Sequence, residues 1–132
     1  EIKSNYLLNT GIEKHILDIL KNNNIENSCI ISSFNPFVLR RVQKLNPNIQ
    51  TAYLWTKNNP LFIINSPLWV WWCKPDGFHA DINFLDKNLI NWIRRKRMSI
   101  MAYTILDKKH LEKAQYLSLD GIIMDNPHLE LD

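Results

Sequence analysis

What most constrains the fold of this chain is an alternation. Short apolar runs, each followed by an amphipathic stretch of helical period, recur along its length. Residues 11–23 (GIEKHILDILKNN) place Ile12, Ile16, Ile19 and Leu20 on one helical face. A strand-like run follows at 29–34 (CIISSF). Asn35 then offers an N-cap and Pro36 an N1 residue to a helix that carries Val38, Leu39, Val42 and Leu45 and stops at Pro47. Gln50–Trp55 (QTAYLW), Gly77–Asp81 (GFHAD), Ser99–Ile105 (SIMAYTI) and 121–125 (GIIMD) read as further strands. Asp86 is placed to cap DKNLINWIRRKR, and Asp107 to cap KKHLEKAQYL.

Short buried strands joined by helices pair in parallel through right-handed crossovers, as an open doubly wound sheet or as a (β/α)8 barrel. With three glycines in 132 residues there is no Gly-x-Gly-x-x-Gly turn and no phosphate-cradling Lys-Ser/Thr loop, so the dinucleotide and P-loop folds lose their support. The expectation is an α/β fold, a (β/α)8 TIM barrel. A full barrel takes about 250 residues, so residues 1–132 are expected to be the C-terminal part of one barrel domain, with about six strands. The opening Glu-Ile-Lys-Ser-Asn has no methionine before it and reads as the third of eight strands, cut within a longer domain.

At 45% hydrophobic and 11% aromatic the chain has ample material for a core, and a net charge of +3 is too mild to imply nucleic acid or an acidic membrane, so the basic residues are judged locally. Cys29 and Cys73 form no Cys-x-x-Cys pair, so neither a disulfide framework nor a zinc site is indicated, and both read as buried free thiols. In a barrel the chemistry gathers at the C-terminal ends of the strands. Those ends carry Glu1 and Lys3, Ser33 and Phe34, Tyr53 to Trp55, His79 and Asp81, Tyr103 and Thr104, and Asp125. Ser33, before Asn-Pro and without a glycine elbow, reads as a turn residue and not a nucleophile; Asp125, before Asn126-Pro127, reads likewise. His15, His110 and His128 read as surface or loop residues.

At these ends the sequence resembles the glycerophosphodiester phosphodiesterase family, a (β/α)8-barrel group. IISSFNPFVLRRVQKLNPNIQTAYL is similar to that family's strand, Ser-Phe turn, helix and next strand. AYTILDKKHLEKAQYLSLDGIIMDNP is similar to its closing WTVN…GVDGIITDxP segment, EIK to its E-[LI]-K strand, and FHAD to a strand end where His-Pro is frequent. The resemblance implies metal-dependent hydrolysis of glycerophosphodiesters to sn-glycerol 3-phosphate and an alcohol. It assigns Glu1 to a divalent cation, Mg2+ or Ca2+, for which a carboxylate is the suitable donor. It assigns Lys3, which strand alternation turns the same way, to the substrate phosphate. Phe34, His79 and Tyr103 would contact substrate, with Tyr103 standing where the family usually has tryptophan.

The resemblance also implies an absence. The family's His-Arg-Gly, its Glu-x-Asp metal pair and its second histidine precede E-[LI]-K, so no general acid or base is expected here, and the chain alone is expected to be inactive. The competing readings are a non-catalytic barrel that binds or scaffolds, and a different phosphodiesterase on the same barrel, of phospholipase D or phosphoinositide lyase type. The expected partner is a small-molecule glycerophosphodiester.

Residues 60–75 (PLFIINSPLWVWWCKP) gather Trp69, Trp71 and Trp72 between two strands, and Ser66-Pro67 suits the start of a short helix. The segment is too short and interrupted to span a membrane. The segment is expected to pack on the barrel wall or to cover the pocket; if its aromatic face is exposed, it would instead lie over the site's mouth and meet a lipid surface. The run Arg-Arg-Lys-Arg at 94–97 suits a helix C-terminus, and without interleaved aromatics it is not a nucleic-acid patch.

Overall fold

The computed structural model describes residues 1–4, 11–59 and 66–126. Five strands, β1 (Ile30–Ser33), β2 (Gln50–Trp55), β3 (Gly77–Asp81), β4 (Ser99–Ile105) and β5 (Gly121–Met124), form one sheet in the order β1-β2-β3-β4-β5. Every neighbouring pair is parallel. Helix α1 (Ile12–Asn22) precedes β1; α2 (Pro36–Leu45), α3 (Val70–Cys73), α4 (Lys87–Arg94) and α5 (Lys108–Tyr116) lie in the successive crossovers. A doubly wound sheet reverses its strand order at a switch point. A strictly sequential order is that of a barrel wall, and this is about half of one.

The helix starts follow from their caps. Asn35 Oδ1 accepts from Phe37 N–H at 3.0 Å with Pro36 at N1, Asp86 Oδ1 from Leu89 N–H at 2.8 Å, and Asp107 Oδ1 from His110 N–H at 2.8 Å. Helix α4 stops at Arg94, three residues short of the expected Arg97. Arg97 takes a left-handed φ of 59° to turn the chain into β4, and Lys96 folds over an aromatic ring, so only Arg94 of the basic run is helical.

The register divides the sheet into two faces. Tyr53 pairs with Phe78 and Phe78 with Ile100; with Trp55, Ala80 and Ala102 they form the outer face, covered by Leu39, Ile90, Ile93, Leu111 and Ala114 of the helices. Each fully buried large side chain there contributes roughly 1.5–3 kcal/mol. Ile2, Leu17, Ile31, Val38, Val42 and Ile49 make a second cluster under α1 and α2. The inner face carries Leu54, His79, Met101 and Gly121 in one row, with Asp81 opposite Tyr103 toward the C-terminal ends.

Two further expectations are corrected. The described residues hold five strands, not six, because Glu1–Lys3 does not form a strand of its own. The segment lies against the edge of β1, where Ile2 N–H donates to Ser32 O at 2.8 Å, but the Ile2 carbonyl accepts from the Ser33 hydroxyl at 2.7 Å and not from a ladder N–H. Of the two thiols only Cys73 is buried. Cys29 precedes the edge strand β1 and is half-exposed.

Candidate functional site

The first residues are held beside β1 by backbone and side-chain bonds. Besides the two at Ile2, Asn35 Nδ2 donates to Ser4 O at 3.0 Å. Ile2 is buried with Leu17 and Ile31 on the helix side, so alternation turns Glu1 and Lys3 away from that cluster, and both are exposed. Ser33 is fully buried. Its hydroxyl donates to Ile2 O and accepts from Asn35 N–H at 3.1 Å, which makes it a splice between the opening segment and the α2 cap.

Tyr103 spans the inner face at the same end of the sheet. Its hydroxyl donates to Trp55 O at 2.9 Å, and its ring meets Phe34 edge to face with centroids 6.1 Å apart. Burial, then the carboxylates of Asp81 and Glu1, push the phenol well above the ordinary tyrosine range. Both carboxylates therefore lie near enough to this hydroxyl to oppose its ionisation. Asp81, opposite Tyr103 in the register, accepts from the Thr56 hydroxyl through Oδ2 at 3.1 Å. Its Oδ1 accepts from Asn83 N–H at 3.0 Å and Asn83 Nδ2 at 2.9 Å, capping the turn Ile82–Phe84.

His79 sits on the inner face two residues below the strand end. It is 6% exposed, and among the described residues its Nε2 has no hydrogen-bond partner. Nε2 lies 3.4 Å from where a Cβ on Gly77 would stand, so the ring fills space that Gly77 leaves. Burial lowers the pKa of the imidazole and keeps it neutral. His15 is exposed on α1, and His110 Nδ1 accepts from Leu106 N–H at 3.3 Å, both structural surface positions; His128 lies outside the described residues.

The structure thus brings Glu1, Phe34 and Tyr103 to one end of the sheet, with Lys3 exposed on the same segment, and sets His79 deeper. Asp81 belongs to that end too. Its position at the close of a barrel strand was the available signal, but a single carboxylate in FHAD gave no reason to rank it above a turn residue. Hard cations take six or more oxygens, and among the described residues no group of three His, Cys, Asp or Glu side chains is close enough to hold a metal. Glu1, exposed at the mouth, is chemically suited to be one donor of such a set.

Residues 3–129 match the glycerophosphoryl diester phosphodiesterase family. The chain is 28% identical over 129 residues to a glycerophosphodiester phosphodiesterase of Caldanaerobacter subterraneus, covering 96% of this chain and 51% of that protein. It is 25% identical over 130 residues to one of Bacillus altitudinis, with the same coverage. The chain spans about half the length of the curated relatives it matches. Among solved structures, a phosphodiesterase of Oleispira antarctica in complex with the product sn-glycerol-3-phosphate superposes with a TM-score of 0.70. The two share 22% identity, over 87% of this chain and 45% of that one.

Proposed function

The chain belongs to the glycerophosphoryl diester phosphodiesterase family, and on that premise we propose that it serves the metal-assisted hydrolysis of glycerophosphodiesters to sn-glycerol 3-phosphate and an alcohol, supplying one wall of the site. The family match over residues 3–129 carries this reading. The product named for the Oleispira antarctica relative supports it.

In this proposal Glu1 is one oxygen ligand of a divalent cation, Mg2+ or Ca2+. The cation would neutralise charge on the phosphoryl oxygens as the diester is cleaved. Lys3 holds the phosphate through an ammonium that alternation places on the same side as Glu1. Tyr103 and Phe34, locked edge to face, form an apolar wall against the glycerol or the head group. The bond to Trp55 O keeps the Tyr103 hydroxyl from swinging into the site. His79, neutral and buried, supports the pocket floor and reaches substrate from beneath. General acid and base are assigned to strands outside these 132 residues, so the chain alone is expected not to turn over.

The test is release of glycerol 3-phosphate from glycerophosphocholine by protein that includes the remaining barrel strands, with added Mg2+ or Ca2+. Turnover should depend on the cation and fall in Glu1→Gln. Turnover that ignores both chelator and Glu1→Gln refutes the metal role, and none under any metal condition points to a non-catalytic barrel.

A further inference from the structure

The helix layer carries a feature that the phosphodiesterase reading leaves unused. Trp69 closes the turn Pro67–Trp69, and Trp71 and Trp72 lie on α3. Trp69 and Trp72 meet edge to face at 5.8 Å, and both pack on Phe37 of α2, at 5.5 and 4.9 Å. The described part of this segment therefore packs beside α2 in the outer layer, the barrel-wall placement among those expected. Packing leaves Leu68 60%, Trp71 61% and Trp72 43% exposed. Single exposed apolar residues are ordinary; contiguous ones on a turn and a helix mark a contact surface.

Cations rim this aromatic surface on two sides. Phe37, Arg40, Arg41, Lys44 and Trp72 line one open groove, and Ser66, Leu68, Trp69 and Trp72 line another. Across α3, Lys96 Nζ stands 3.1 Å from the Trp71 ring centroid and 5.4 Å from that of Trp92. Glu13 neutralises Arg41 at 2.6 Å. Among the described residues no carboxylate is within ion-pair distance of Arg40, Lys44 or Lys96.

We propose that this Trp-rich face docks on an anionic lipid bilayer, with Leu68, Trp71 and Trp72 entering the interface and Arg40, Lys44 and Lys96 meeting lipid phosphates. Tryptophan suits the boundary because an apolar ring carries one polar N–H. Lysine and arginine beside it draw the protein to anionic headgroups. The contact is made from the surface, since no helix of the described residues is long and apolar enough to cross a membrane.

Flotation of the 132-residue chain with phosphatidylcholine vesicles, with and without phosphatidylglycerol, tests the proposal and requires no turnover. The chain should float with the anionic vesicles, with a blue shift of tryptophan emission, and lose binding as salt rises. Trp71→Ala should weaken partition about tenfold, and Arg40→Ala and Lys44→Ala about fivefold each. Both Trp71 and Lys44 are exposed, so these variants should keep the thermal transition of the parent. Absence from the floating fraction, equal flotation with zwitterionic vesicles, or flotation undiminished in Trp71→Ala with Lys44→Ala overturns the proposal. So does a dimer that Trp71→Ala dissociates without any vesicle binding, which would assign the face to a second copy. Each of these failures leaves the phosphodiesterase reading intact, because that reading is judged by glycerol 3-phosphate release.

Discussion

The two ends of the sheet use their carboxylates differently. At the N-terminal end, Asp76 Oδ2 accepts from Thr51 N–H at 2.8 Å and Asp120 Oδ2 from Ile100 N–H at 2.7 Å. Thr51 and Ile100 are fully buried, so these bonds satisfy backbone donors that have no access to water. At the C-terminal end Glu1 is exposed, and among the described residues Asp81 holds only side chains and its own turn. In a barrel the first arrangement stabilises, and the second leaves charge available for a ligand. The difference teaches that Asp and Glu in one sheet are told apart by what they must satisfy, not by residue type.

The largest expected effect tests the functional end. In protein with the complete barrel, Glu1→Gln should lower kcat for glycerophosphocholine by about a hundredfold, while the melting temperature stays within a degree or so of the parent. A matching loss of stability would erase the distinction between the ends. At the other end Asp120→Ala should destabilise by about 1–3 kcal/mol, because it leaves the Ile100 N–H buried and unpaired. Denaturant unfolding should read this loss with KM unchanged.

Tyr103→Phe lies between these cases. Losing the bond to Trp55 O should cost about 0.5–1.5 kcal/mol in unfolding free energy. The freed ring should also raise KM severalfold with kcat little changed if, as proposed, the wall it forms with Phe34 binds ground and transition state alike.

His79 gives the smallest effect and a pH signature. Burial lowers its pKa below the ordinary 6.5, so as the pH falls the unfolded chain takes up the proton first. Stability is therefore full above 6.5, declines as the pH drops through that value, and stops declining below the folded pKa. Unfolding in denaturant between about pH 7 and about pH 5 should show this slope in the parent and a flatter one in His79→Gln. An unchanged slope would assign the titration to another group.

Much of the fold was legible because its signals are local. β2, β3 and β4 fall where the short apolar runs between helical stretches put them, and Asn35, Asp86 and Asp107 cap as their sequence positions imply. A cap is decided within three residues. The end of α4 was misplaced by the same reasoning, since helical propensity continues through Arg97 and only the turn into β4 stops it. The site was legible as a set of strand-end positions but not as an arrangement. Ser33 as a splice, Asp81 beside Tyr103 and His79 in a deeper row each depend on a partner far along the chain.

By itself the sequence determined the β/α alternation, the helix starts and, through the order and spacing of EIK, SFNP and DGIIMDNP, the family. The tertiary structure decided which carboxylates are spent on backbone and which stay open, and whether the tryptophans lie over the mouth or on the outer wall. The physical reason is range. Caps and periodicity are set by neighbours within a turn, whereas burial and pairing follow from register between strands joined by whole crossovers, as when Tyr103 reaches the Trp55 carbonyl across 48 residues.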